Sequence, residues 1–522
     1  MAKRRELAAR TFEVPGLVTL PSWVAGLGET GIEGVASADV GPRMLLRATY
    51  LDTPELRLTR DGVTLRHQGG AGVAHWHCRI SGLADPAELT VAGPVTKVPE
   101  PIADVLIPWL RGGELEPVAA VRTERVVTVL RDAAGTPLAE LVDDSVAVLE
   151  GRRVAVKHRE LTLLPRAVGD ADTTPPTATP VDLVALLHAV GARLIEAGAV
   201  EAALVPAVTR GLGPRVHEVS DIPPPISLAA TSPARDVVAH SLRTGLRKLL
   251  QADTAVRLDR ADGVHQMRVS CRRLRSDLGT FASLIDATWS EKLRAETRWL
   301  AGELGAARDL EVLRERLGAS AEQDCLLPLD GAALLRLDAI FAERADVAQK
   351  RVLATVRSQR YLRLLNDLVG AAAQPRTTPL AEGPADEVLP PLVGAAWQRL
   401  ERRAGRLKSR DPDDTWHEAR ITAKRARYAA EAVVPALGKR AAATAAAAAA
   451  VQEVLGEHQD GATAAAVLLE AASEHPGDGA FSFVLGRLAE RQRASVVAAR
   501  RSFPAVWRTT AVGKVARWTR VT

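Results

Sequence analysis

The stretch "VHQMRVSCRRLRSDL" (Val264–Leu278) places one histidine and four arginines within eleven residues. A second stretch, "WHEARITAKRARYAA" (Trp416–Ala430), repeats the arrangement. One template, H-x-x-R-x-x-x-[RK]-R-x-R, fits both, matching His265, Arg268, Arg272, Arg273 and Arg275 with His417, Arg420, Lys424, Arg425 and Arg427. The spacing predicts helices. Each helical residue turns about 100°, so His265, Arg268, Arg272 and Arg275 fall on one stripe about 80° wide and about 15 Å long. Arg273 stands on its flank. His417, Arg420, Lys424 and Arg427 make the same stripe in the second copy, with Arg425 beside it.

Cations three and four apart on a helix repel one another. Such a stripe is tolerated when anions compensate it, and two sources are open. Acids of the same chain, such as Asp309, Asp460 and Glu431, would make it a solvated, salt-bridged face. A bound polyanion is the other source. Recurrence of the stripe in register favours the polyanion, and a phosphate chain suits it best. Arginine presents a planar fork of donors to phosphate oxygens, and histidine can gain charge beside them. Arg243, Arg247 and Lys248 early in the first copy, and Arg399, Arg403 and Arg406 in the second, are candidates to widen the basic surface. Arg351, Arg357 and Arg360 correspond in the same way to Arg493, Arg500 and Arg501. Nucleic acid ranks below a base-free chain, because base stacking needs aromatic platforms and only Trp416 and Tyr428 lie near the stripes.

Outward from these helices, the sequence divides by texture. After Leu228, Leu and Ala recur at three- and four-residue spacing and the chain reads as helical almost throughout. "ELGAARDLEVL" (Glu303–Leu313) matches "VLGEHQDGATA" (Val454–Ala464), with Gly305 on Gly456 and Asp309 on Asp460. The helical half is therefore read as an internal duplication, about 229–370 and 388–520. Before Ser220, short alternating segments such as "GVTLRHQ", "AHWHCRI" and "ERVVTVLRD" predict antiparallel strands. Pro-rich stretches at Asp170–Asp182, Ser220–Leu228 and Ala373–Glu387 read as loops or linkers. The expected fold class is α+β with several domains: a β unit over 1–215, a linker over 216–228 and an all-α unit over 229–522.

Charge follows this division. From Ile226 onward 45 Lys and Arg face 35 Asp and Glu, whereas the preceding part is acidic. Three cysteines, far apart, offer neither a disulfide framework nor paired metal-ligand spacing, so a reducing cytoplasm is expected. The opening "MAKRRELAAR" has no apolar stretch behind it, so no secretory signal is expected. No apolar run approaches the length of a membrane span.

In the β half, period two gathers charges on single faces: His75 with His77 and Arg79, Glu140 with Asp144, His158 with Glu160. Two readings stay open here, a sheet with one solvated face and a closed barrel with a charged lumen. His75 and His77 alone would also make a metal pair.

The helical motifs resemble those of the CHAD domain, over roughly Ile226 to Arg520. That resemblance implies two pseudo-symmetric four-helix bundles binding inorganic polyphosphate in a basic channel. The implied ligand-facing residues are His265, Arg268, Arg272, Arg275, His417, Arg420, Lys424 and Arg427. Association with polyphosphate granules would follow. "YLDTPELRLTRDGVTLRHQ" (Tyr50–Gln68) resembles the CYTH domain, with the likeness running from about Lys3 to Leu212. This implies an eight-stranded antiparallel tunnel for triphosphate-like substrates, whose active members hydrolyse a terminal phosphate with Mg²⁺ or Mn²⁺. The family's opening E-x-E-x-K is here Glu6-x-Ala8-x-Arg10, and its LR-x-R is Leu65-Arg66-His67-Gln68. The late acidic pair is Glu160 and Thr162. Arg57, Arg66, Arg79, Arg122 and Arg125 are the expected phosphate ligands, Glu6, Arg10 and Lys157 the catalytic candidates, and Glu6, Glu140, Asp144 and Glu160 the metal candidates. A site short of two carboxylates holds Mg²⁺ weakly. The expectation is a degenerate tunnel with little or no turnover, needing no metal for binding, with a Mg²⁺- or Mn²⁺-dependent triphosphatase as the alternative. A nucleic-acid-binding or scaffold protein is the third reading.

Overall fold

The computed structural model describes residues 9–16, 18–25, 30–70, 73–83, 86–151, 153–166, 183–202, 207–322, 328–510 and 516–519. Glu6 and the Pro-rich stretch Asp170–Asp182 lie outside them. The chain forms two compact units, Met1–Ser220 and Asp221–Thr522.

The first unit is one antiparallel sheet. Its strands are β1 (Arg10–Val14), β2 (Ser37–Val40), β3 (Met44–Asp52), β4 (Val63–Gly69), β5 (His75–Ile80), β6 (Ala87–Ala92), β7 (Glu116–Arg131), β8 (Pro137–Glu150), β9 (Arg153–Pro165) and β10 (Val200–Glu201). They follow the order β10-β1-β9-β8-β7-β3-β4-β5-β6, with β2 paired to β7. The resemblance implied eight strands. Ten occur among the described residues, and β10 is only two residues long. Four helices accompany the sheet: α1 (Arg57–Arg60), α2 (Glu100–Leu110), α3 (Leu183–Glu196) and α4 (Ala207–Leu212). Strand alternation separates two faces. One carries Phe12, Leu141, Leu161 and Leu163 into a core closed by Leu186, Leu187, Val190 and Leu194 of α3. The other carries the charged residues and is partly filled by α4. Val208 and Leu212 there pack with Tyr50, Val121, Val146 and Val148. The approach is tight, since a Cβ on Gly211 would stand 2.2 Å from Val148 Cγ1.

The second unit is all helix: α5 (Ala234–Arg257), α6 (Gly263–Thr280), α7 (Ala287–Glu303), α8 (Gly305–Glu322), α9 (Pro328–Val356), α10 (Gln359–Ala373), α11 (Ala385–Ala404), α12 (Asp413–Leu437), α13 (Lys439–Ser473) and α14 (Gly479–Thr510). The duplication is visible in the boundaries. α5, α6, α7 and α9 begin 150 to 152 residues before α11, α12, α13 and α14. Backbone bonds repeat it reciprocally: Ala234 N–H donates to the Gly383 carbonyl, and Ala385 N–H donates to the Ser232 carbonyl, each at 2.9 Å. Such an exchange between equivalent residues marks a local two-fold axis. The copies differ near the middle. α13 runs unbroken through Gly456, whereas the equivalent span is interrupted at Leu304 between α7 and α8.

The stretch 221–228, read as part of a linker, is tied down. Ile222 is fully buried, and its carbonyl accepts from Arg247 Nη2 at 2.5 Å.

Candidate functional site

Packing explains how the two stripes are displayed. In α6, Val264, Met267, Cys271 and Leu274 are buried, and each is followed at once by His265, Arg268, Arg272 and Arg275. In α12, Trp416, Ala419, Ala423 and Ala426 are buried and precede His417, Arg420, Lys424 and Arg427. One residue is a rotation of about 100°, so each cation sits on the shoulder of the buried face. Its stem is covered and its charge is held half in solvent. The small alanines of α12 let that helix settle closely on Val451 and Leu455 of α13.

α6 packs on α12, and the stripes converge there. Burial holds Arg420 below its ordinary pKa, and Arg272 and Arg268 of the other copy lower it further against the pull of Asp460. Lys424 is pushed down to about 7, first by burial and then by Arg420, Arg272 and Arg268. Arg275 is lowered by burial and by Arg298, Arg294, Arg272 and Arg425. Equivalent residues, Arg272 and Lys424, thus lie at the centre with Arg268 and Arg420 flanking them. His265 is lowered by burial and Arg308. His417 instead shares a 2.7 Å hydrogen bond between its Nδ1 and Gln459 Oε1.

Acids occupy only the periphery. Asp309 accepts from Arg268 at 2.6 Å and the equivalent Asp460 accepts from Arg420 at 3.2 Å. Glu431 accepts from Arg273 at 2.6 Å and from Arg427 at 2.7 Å. These are the pairs the salt-bridged reading anticipated. Among the described residues, none of Arg272, Arg275, Lys424 and Arg425 has an ion-pair partner. The Nε atoms of Arg272 and Arg420 are buried without a hydrogen-bond acceptor. A buried donor left unmet is destabilising by about 1–3 kcal/mol.

The outlying candidates behave differently. Arg243 donates to the Ala372 and Pro224 carbonyls, and Arg247 to those of Pro223 and Ile222, so both fasten backbone segments. Arg403 is paired with Glu418. Arg493 donates to Asp413 at 2.7 Å, beside Arg500 and the buried His458 that stacks on Trp416. Arg357 is exposed in the last turn of the helix region after α9. Arg294, Arg298 and Arg308 were missed in the sequence. Their only signal was the spacing of Arg294 and Arg298, four apart on α7.

In the β unit, strand register collects Glu13, Arg125, Asp144, Glu160 and His158 on the charged face. Arg66, His75, His77 and Arg79 share that face on β4 and β5. Arg66 Nη1 donates to Tyr50 Oη at 3.4 Å. Burial lowers the His77 pKa, with Arg66 and His75 adding to it. Arg122 and Lys157 are exposed on the opposite face. Arg10 also turns away from the charged face. It donates to Glu201 at 2.7 Å and to the Leu187 carbonyl of α3 at 2.9 Å. Arg57 lies off the sheet, donating to the Leu110 carbonyl at 3.1 Å.

Among the described residues, the carboxylates of this face are engaged by cations. Arg125 grips both oxygens of Asp144 at 2.7 and 2.6 Å. Glu13 is paired with Arg210, and Glu140 with Arg166 at 2.7 Å. Glu160 lies 3.6 Å from His158, whose two ring nitrogens are buried without hydrogen-bond partners. Among the described residues no three His, Cys, Asp or Glu side chains gather to hold a metal. No described helix is long and apolar enough to cross a membrane.

Residues 240–469 match the CHAD domain family. Among solved structures, PptA from Streptomyces chartreusis is 29% identical with a TM-score of 0.46, covering 53% of this chain and 100% of its own. The CHAD domain from the plant Ricinus communis is also 29% identical, with a TM-score of 0.43, covering 53% of this chain and 93% of its own. Uncharacterized protein Rv2226 of Mycobacterium tuberculosis (strain ATCC 25618 / H37Rv) is 30% identical over 526 residues, which span 94% of this chain and 95% of that protein. Uncharacterized protein MT2285 of Mycobacterium tuberculosis (strain CDC 1551 / Oshkosh) matches to the same extent. The chain therefore belongs to the family of these mycobacterial proteins, and its helical half carries a CHAD domain.

Proposed function

We propose that the helical unit binds inorganic polyphosphate along the paired stripes of α6 and α12. Arg272 and Lys424 grip the chain at the centre, Arg268 and Arg420 hold it on either side, and Arg275, Arg425 and the two histidines extend the contact. The observation that carries this reading is the unpaired central group, where like charges from both copies meet with buried Nε donors facing no acceptor. Arginine forks suit phosphate oxygens, and no base-stacking platform is required. The β unit serves as a degenerate phosphate-chain tunnel with weak or absent turnover, and binding needs no metal. The protein would act in the cytoplasm, recruited to polyphosphate and to its granules.

Titration of labelled long-chain polyphosphate onto the full chain tests this. Arg272→Ala and Lys424→Ala should each weaken binding and reduce the salt slope by about one unit, by counterion release. Unchanged affinity and slope in the double variant would refute the central site. Competition with DNA at fixed salt tests the nucleic-acid reading. Phosphate release from tripolyphosphate with Mg²⁺ or Mn²⁺ tests the enzymatic one.

A further inference from the structure

The two copies are not equally charged beyond their stripes. At the C-terminal end of the α6 stripe, Arg294 of α7 lies against the helix. A Cβ added to Gly279 would stand 3.6 Å from Arg294 Nη2. Arg298 follows one turn later on α7, exposed and without an ion-pair partner among the described residues. The remaining cations of and against α7 are engaged: Arg294 with Glu291, Lys292 with Asp367 at 3.0 Å, Arg360 with Glu296 at 2.8 Å, Arg351 with Glu303 at 2.7 Å. In the second copy the equivalents of Arg294 and Arg298, offset by 151, are Ala445 and Ala449 on α13. The other end repeats the imbalance. Arg308 stands near His265, whereas its equivalent is the neutral Gln459 beside His417.

We infer that the phosphate-chain path is lopsided: it continues past Arg275 onto α7, where Arg298 is a further anchor, and it has no counterpart along α13. The inference rests on the proposed polyphosphate reading and adds the direction in which the chain leaves the axis. A chain bound at the centre by equivalent residues meets more cations on the first-copy side, so its overhang is held there. Short chains that span only the central group would not reach Arg298.

The test compares Arg298→Ala with the unmodified protein, using polyphosphates of graded length and a range of salt. Arg298 is exposed, so its removal leaves the packing intact. Long chains should bind Arg298→Ala about three- to tenfold more weakly at low salt, with the salt slope reduced by about one, while the shortest bound chains are unaffected. Lys292→Ala on the same helix should change neither. Ala449→Arg should tighten long-chain binding by supplying the missing anchor. If the unmodified chain binds polyphosphate and Arg298→Ala matches it at every length and salt, the extension is refuted and the central site stands. If the unmodified chain binds no polyphosphate, both are overturned.

Discussion

The sharpest prediction concerns the pH dependence of binding and its removal by Lys424→Arg. Burial and three neighbouring arginines push the Lys424 ammonium down to about 7. Without ligand the side chain therefore gives up its proton near neutral pH. A phosphate beside it reverses the balance, because an anion favours the charged form. Binding above pH 7 thus takes up a proton, and affinity falls as pH rises through that value. The internal phosphates of a long chain remain ionised over this range and contribute no compensating titration.

For one proton the free energy changes by about 1.4 kcal/mol per pH unit once Lys424 is mostly neutral. Between pH 7 and pH 8.5 the expected loss of affinity is about fifteenfold, provided the bound lysine titrates well above that window. Arginine keeps its charge throughout, so Lys424→Arg should bind with nearly constant affinity from pH 7 to 8.5. His265, held below its ordinary pKa by burial, is present in both proteins, so the difference between their pH profiles reports Lys424. Calorimetric titration in buffers of different ionisation enthalpy reads both affinity and proton uptake. A flat profile in the unmodified protein would refute the reasoning, as would equal slopes in the two proteins.

Three further outcomes test the same account of charge and packing. Lys424→Met removes a charge whose penalty is full below pH 7 and relieved as pH rises toward 10.5. It should raise the ligand-free melting temperature by about 3–6 °C at pH 6, with the gain gone near pH 10.5, read by thermal denaturation. Asp277, buried and bonded to Ser241 at 2.6 Å, is raised to about 7 chiefly by burial, so its ionisation penalises folding progressively from pH 3.8 to 7. Asp277→Asn should therefore stabilise by about 2–4 kcal/mol more at pH 8 than at pH 4, measured by urea unfolding. A Cβ on Gly245 would stand 2.4 Å from Leu274 Cδ2 in the α5–α6 contact. Gly245→Ala should be destabilising by about 1–3 kcal/mol, visible as a lower urea midpoint.

Which residues the sequence exposed depended on whether their role was periodic. The stripes were legible because a helix repeats its faces every three to four residues and the chain repeats the helix. The acids at Asp309 and Asp460 were legible through the same register. Strand alternation groups His75, His77 and Arg79, yet Arg122 and Lys157 join the expected site although Arg122 lies three positions from Arg125 in one strand and must face the other way. Arg243 and Arg247 carried the right spacing but were drawn to carbonyls of segments distant in the chain, which no local pattern announces. Arg308 escaped because its equivalent is the neutral Gln459, so the duplicated template does not mark that position as basic.

The distribution of acids bears on the two explanations of the stripes. A basic face built only for solubility would have its most covered cations neutralised first, since an unpaired charge becomes costlier as water is withdrawn. Here the central pair departs from that pattern. Carboxylates stand at Arg268, Arg420, Arg273 and Arg427. Arg272 and Lys424, brought together by the duplication, have none, and both Arg272 and Arg420 keep a buried Nε unmet. Copying one helix across a two-fold axis forces like charge against like charge, and a chain under selection for stability alone could replace either residue with an apolar one. Lysine in place of arginine at one of the two equivalent positions eases the repulsion, because that lysine can shed its proton when the centre is empty. Repulsion at the centre, beside acids that hold Arg268 and Arg420, is what the proposed polyphosphate site would require, its missing negative charge arriving with the ligand.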